Sequence, residues 1–219
     1  MIAVCLHGFL RTGVSMLYVR NALLKLGYKQ VLCPSFALQF GTLEDHGAKL
    51  HQIIDTALQK NAASQVDIVT YSMGGLLFRA SLAHKIPYRR AVMIAPPNKG
   101  ARMAELIKSL LPIHKLGWDP LHQLCPQIPI QLPEPNINIQ VGIVAGIKGD
   151  GIGYNPFLGE DNDGKVCLSE TYLHRKVEHL VVQGRHPMLI MNQMVAQEIQ
   201  YFFNHATFNS PSFHQSHHP

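Results

Sequence analysis

Ser72 closes the apolar run Val66-Asp67-Ile68-Val69-Thr70-Tyr71 and is followed at once by Met73-Gly74-Gly75. A serine hydroxyl is a weak nucleophile and needs an activating base and an exposed position. A strand running into a small-residue turn, with a helix after it, supplies that position. The turn projects the hydroxyl beyond the strand, and the helix N-terminus favours developing negative charge. The pattern for such a turn is G-x-S-x-G, and here it reads Thr70-x-Ser72-x-Gly74. A β-branched threonine in place of the first glycine is expected to crowd the turn, whereas Gly75 lets the helix pack closely. The competing reading is a serine N-cap on an ordinary strand–helix junction. A second turn, His7-Gly8-Phe9-Leu10, ends the first apolar run. It can aim a backbone N–H at the point where Ser72 would attack. The Phe9 and Met73 N–H groups are thus candidates for an oxyanion hole.

These turns need a frame. Strand patterns occur at Ile2 to Leu6, Gln30 to Cys33, Val66 to Tyr71, Arg90 to Ala95, Ile137 to Ala145 and Val177 to Val182. Helical patterns lie between them: Ser15 to Leu26, Thr42 to about Lys60, Met73 to His84, Gly100 to Leu111 and, last, Pro187 to Phe203. Thr42 can cap its helix, with Asp45 three residues on. The alternation predicts an α/β fold, a mostly parallel sheet with helices on both faces. Pro112 to Pro135 reads as an irregular cover, a lid or a fixed rim, over one end of the sheet. Gly149 to Gly164 reads as a glycine-rich loop. Residues 1–206 are expected to form one domain, with 207–219 as a disordered tail.

In these motifs and their order the chain resembles the lipase and esterase branch of the α/β-hydrolase superfamily. The residues that carry the likeness are His7-Gly8-Phe9, Tyr71-Ser72-Met73-Gly74-Gly75, Asp163-Gly164-Lys165-Val166 and His186. Pro96-Pro97-Asn98-Lys99-Gly100 also resembles the segment after the next strand. The likeness spans about residues 2 to 205 and is strongest to small bacterial members that omit the first two strands. It implies a minimal α/β-hydrolase fold and serine ester hydrolysis, with no cofactor and no catalytic metal. Thr70 is its departure.

There are 13 histidines, so presence alone identifies no base. The base belongs after the last strand. His186 qualifies: Gly184-Arg185 turn ahead of it and Pro187 opens a helix. His179 falls within the strand, His174 precedes it, and the C-terminal histidines belong to the tail. The acid follows the preceding strand, where Asp150, Glu160, Asp161 and Asp163 are available. Asp163, just before Gly164, is favoured over Asp161, with Asp150 third. The expected triad is therefore Ser72, Asp163 and His186. Asp161, Asp163, Gly164 and Glu170 also mimic part of a calcium loop, but its first position would be Gly159, which offers no side-chain ligand. A looser cation site using Asp150, Asp161 or Glu170 stays open. Leu10, Arg11 and Trp118 are candidate substrate contacts, and Met16, Leu17 and Leu121 candidates for an acyl pocket.

Composition excludes other classes. The chain has 219 residues, 47% of them hydrophobic and 15% charged, which disfavours disorder. No apolar run reaches the ~18 residues of a membrane span. Nineteen Lys and Arg against 14 Asp and Glu leave +5, scattered rather than gathered on one arm. Nucleic-acid binding is not expected; peripheral contact with an anionic membrane is compatible with this charge. Four cysteines without paired spacing favour free thiols. No signal peptide is read at the N-terminus, so a cytoplasmic location is expected. The expected substrate is a small acyl ester or lipid, with no obligate protein partner. A thioesterase, amidase or acyltransferase would use the same residues, and a non-catalytic binding protein could keep the fold.

Overall fold

The computed structural model describes residues 1–38, 40–110 and 121–211. Trp118, the remainder of 112–120 and the tail from 212 onward lie outside the described residues.

Six strands form one sheet, β1 (Ile2–Leu6), β2 (Gln30–Leu32), β3 (Val66–Tyr71), β4 (Tyr88–Ile94), β5 (Gln140–Ile147) and β6 (Glu178–Gln183). Their order is β2-β1-β3-β4-β5-β6 and every pairing is parallel. Parallel sheets persist when both faces are covered, which is why these strands are continuous apolar runs. Side chains alternate across β1. Ile2, Val4 and Leu6 join one core with Leu50 and Ile54 of α2 (Leu43–Lys60) and Leu76 and Leu77 of α3 (Gly74–Ser81). Ala3 and Cys5 face the other core, with Val19 and Leu23 of α1 (Leu17–Leu24) and Ile199 and Phe202 of α7 (Gln193–His205). Thr42 caps α2 as expected, its hydroxyl oxygen accepting from the Asp45 N–H at 3.1 Å.

The chain leaves β1 for one side of the sheet and, after β2, crosses to β3 on the other. Ligands of open parallel sheets gather at such a reversal, outside the carboxyl ends of the strands. In register, Leu6 pairs with Thr70 and Tyr71 with Ile94. The turns after β1 and β3 therefore meet side by side at this edge.

Some boundaries differ from the sequence reading. The first helix opens as a 3-10 turn, Gly13–Met16, because Gly13 lies against the Cys33 carbonyl; a Cβ there would sit 1.9 Å from that oxygen. The last helix is divided into α6 (His186–Leu189) and α7. Asn192 starts the second piece, its side chain accepting from the Met194 and Val195 N–H groups. The described part of the cover is not irregular throughout. It carries α4 (Arg102–Leu110) before it and α5 (Gln127–Gln131) within it. The buried Arg79 of α3 donates to the Leu132 and Pro133 carbonyls at 2.6 and 3.0 Å, anchoring this end. The expected disordered tail begins with packed residues: Thr207 donates to Glu178, Phe208 packs on Phe202, and the Asn209 N–H donates to the buried Glu198.

Candidate active site

Ser72 sits beyond the end of β3 with φ +53°, a left-handed conformation costly for a side chain. Two backbone bonds hold it. Its N–H donates to the Ile94 carbonyl at 2.8 Å, and its carbonyl accepts from the Gly75 N–H at 2.9 Å. Small residues make the turn possible. A Cβ on Gly74 would meet the His7 and Leu6 carbonyl oxygens at 2.7 and 2.8 Å, so glycine lets α3 press on the end of β1. A Cβ on Gly8 would come 2.9 Å from the Ser72 Cβ. Thr70 does not crowd the turn as expected. It lies inside β3, fully buried, and a Cβ on Gly75 would meet its hydroxyl only at an ordinary 3.5 Å.

Three singled-out residues meet here. The Ser72 hydroxyl lies 3.0 Å from His186 Nε2. On the other side of the ring, Nδ1 lies 2.6 Å from Asp163 Oδ2. With Nδ1–H donating to the carboxylate, Nε2 presents its lone pair to the serine. Asp163 and His186 are both buried, while Ser72 is half-buried and reachable. The imidazole is fixed from several directions. Its backbone N–H donates to the Asp163 carbonyl at 2.8 Å, and the Tyr71 hydroxyl donates to the His186 carbonyl at 3.1 Å. The Tyr71 ring also packs on the imidazole, with centroids 4.9 Å apart.

Among the described residues neither the Phe9 nor the Met73 N–H donates a hydrogen bond. Met73 leads into α3, where free N–H groups and the helix dipole favour an anion. The turn carrying Phe9 is set by His7, a residue that sequence reasoning treated only as part of the motif. Its Nδ1–H donates to the Gly8 carbonyl and its Nε2 accepts from the Phe36 N–H, both at 2.8 Å. The second bond needs a neutral ring, and burial pushes its pKa down. A histidine directly after a fully apolar strand was the available signal.

The loop after β5 separates the acid candidates. Asp163 Oδ1 accepts from the Lys165 and Val166 N–H groups, leaving Oδ2 for His186. Asp161 instead accepts from the Lys148 and Gly149 N–H groups and shapes the loop. Asp150 pairs with Lys148, and Glu170 accepts from the Arg102 and Cys167 N–H groups. Among the described residues no three acidic, histidine or cysteine groups converge as metal ligands. Sequence reading passed over Asn162. Its side chain donates to three carbonyls, of Ile152, Asn155 and Glu160, and accepts from the Asn155 and Gly164 N–H groups. It is fully buried and ties the loop that presents Asp163.

A cavity of about 280 Å³ opens beside Ser72 and His186. Its apolar wall comes from Met103, Ala104 and Ile107 of α4, with Ala101, Leu121 and Leu124. Leu10 and Arg11 line it as well. Met16 and Leu17 do not: the 3-10 turn sends Met16 into the opposite core and leaves Leu17 at the surface. Trp118 falls outside the described residues.

No family model and no curated sequence matches the chain. Solved structures do. The mature form of Bacillus licheniformis lipase BlEst2 superposes with a TM-score of 0.73 at 21% identity, over 94% of this chain and 91% of that one. Phospholipase PlaB from Legionella pneumophila gives 0.74 at 18%, over 94% and 59%. A pyrethroid hydrolase, PytH, gives 0.61 at 13%, over 94% and 98%. This chain spans about half the length of the propeptide form of the lipase, 51%. At these identities the likeness is one of fold.

Proposed function

On a chain with the minimal α/β-hydrolase fold, we propose a serine hydrolase that cleaves carboxylic esters through an acyl-Ser72 intermediate. The observation that carries this reading is the chain of two short contacts, Ser72 Oγ to His186 Nε2 at 3.0 Å and His186 Nδ1 to Asp163 Oδ2 at 2.6 Å. Ser72 attacks the ester carbonyl while His186 takes its proton. Asp163 holds the ring in the Nδ1–H tautomer and stabilises the imidazolium. The Phe9 and Met73 N–H groups receive the oxyanion. His186 then passes its proton to the leaving alcohol. Water, activated by the same imidazole, releases the acid.

The apolar wall along α4 suits an acyl chain, and the lipase and phospholipase neighbours agree with an ester substrate. Contact with a membrane surface is part of this reading, through the exposed Leu10, which also lines the cavity. The test is hydrolysis of p-nitrophenyl butanoate and octanoate by the purified chain. Turnover is expected in the wild type and should vanish in Ser72→Ala. Undiminished hydrolysis by that variant would end the proposal.

A further inference from the structure

The two sides of the cavity differ in charge. The wall along α4 is apolar, while Arg11 and Lys165 also line the cavity that holds Ser72 and His186. Arg11 reaches this place from the oxyanion turn. Its guanidinium carbon stands 5.5 Å from the centre of the Tyr71 ring, the same ring that packs on His186. Lys165 arrives from the acid turn, where its N–H donates to Asp163 at 2.9 Å. Two cations from separate loops therefore line the same cavity as Ser72 and His186.

Neither cation makes an ion pair among the described residues. The neighbouring carboxylates are engaged elsewhere. Asp163 is bonded to His186, Asp150 to Lys148, and Glu160 to Ser169 and Arg102. Arg185, next to the base in sequence, lies over Tyr154 at 4.5 Å and is not among the residues lining the cavity.

Chemistry fixes which part of a substrate meets these charges. The imidazole must hand its proton to the leaving oxygen, so the alcohol lies on the His186 side. The acyl chain then takes the apolar wall. Resting on the assignment of Ser72 as nucleophile, we propose that the alcohol portion of the substrate carries a phosphate, which Arg11 and Lys165 hold as the acyl group is cleaved. A guanidinium offers paired donors to phosphate oxygens and an ammonium adds a point charge. The reaction balances as simple hydrolysis: water supplies OH to the acyl carbon and H to the alkoxide oxygen. The phosphate ester itself stays intact.

The test compares 1-decanoylglycerol with 1-decanoylglycerol 3-phosphate, below the concentrations at which either aggregates. The quantity read is the ratio of kcat/KM for the phosphate-bearing ester to that for the neutral one. A ratio of tenfold or more is expected in the wild type, falling as salt is raised. It should drop severalfold in Arg11→Gln and in Lys165→Gln and approach one in the double variant, with thermal melts showing that each is folded. A butanoyl pair run alongside separates a soluble phosphate ester from a lipid. Preference in both arms supports phosphate recognition by itself, and preference in the decanoyl arm alone supports a lysophospholipid. Hydrolysis of both esters at equal rates would overturn the inference and leave the serine assignment standing, as would a preference that survives in the double variant. Failure to hydrolyse either ester, with no fluorophosphonate labelling of Ser72, would overturn both.

Discussion

Gly8→Ala tests the contact between the two turns. A Cβ at this position would lie 2.9 Å from the Ser72 Cβ, and 3.2 and 3.3 Å from two Tyr71 ring carbons. Non-bonded carbons rest at about 3.5 Å or more. The turn and the serine must therefore separate by about 0.6 Å, since neither neighbour is the free end of a flexible chain. Gly8 is not among the residues with positive φ, so alanine tolerates its backbone and the effect is steric. The Phe9 N–H follows directly. Oxyanion donors act over a window of about 2.7–3.1 Å, narrower than the forced shift. Loss of one such donor costs about 10²–10³ in kcat, or about 3–4 kcal/mol. Steady-state hydrolysis of p-nitrophenyl butanoate should then show kcat lowered at least 10²-fold. The melting temperature should fall modestly, as for an overpacking cost of about 1–3 kcal/mol. A folded Gly8→Ala enzyme with kcat within threefold of wild type would refute the close coupling of the turns.

Other perturbations separate the remaining roles. Asp163→Asn keeps the shape but favours the wrong imidazole tautomer, and kcat should fall about 10³–10⁴-fold; Asp161→Asn, which leaves the His186 contact intact, should keep a larger share of the rate. Equal losses would contradict the choice of acid. Ile107→Trp should block the apolar wall, so octanoate hydrolysis drops far more than acetate hydrolysis; a parallel decline in both would place the acyl chain elsewhere. Thr70 Oγ1 is buried without a hydrogen-bond partner among the described residues. Thr70→Val should consequently leave stability unchanged or raise it by about 1 kcal/mol in urea unfolding, and a clear loss would reveal a missed partner. Burial lowers the His179 pKa to about 4. The unfolded chain binds that proton near 6.5, so it holds more protons than the folded one between these values and stability falls as pH drops. Partial exposure and the bond to Thr171 limit this to about 2 kcal/mol. Urea midpoints from pH 7 to 4 should decline less steeply in His179→Gln, and parallel declines would contradict it.

The strands were legible because both faces of a parallel sheet are covered, which turns Ile2 to Leu6 and Val66 to Tyr71 into unbroken apolar runs. The Ser72 and His7 turns were legible because small residues must stand where backbones touch. The misreadings share a cause. Met16 was open to a pocket role because apolar spacing does not say which face a helix presents; the 3-10 turn before α1 rotates it into the core, the commoner fate of such residues. Thr70 looked crowded because the G-x-S-x-G pattern counts it as part of the turn, whereas it is still a strand residue of β3. Asn162 and Asp161 shape the acid loop through side-chain bonds to scattered N–H groups and carbonyls, and such bonds leave no periodic trace. The meeting of Arg11 and Lys165 at one cavity required the sheet register, since they lie on different loops.

Covalent trapping tests the central claim most directly. The folded chain would be treated with a fluorophosphonate, digested, and mapped by mass spectrometry. One adduct per chain is expected, on the peptide containing Ser72, and none in His186→Ala over the same time. An adduct on another serine, or an unreacted Ser72 in protein that melts cooperatively, would contradict the account.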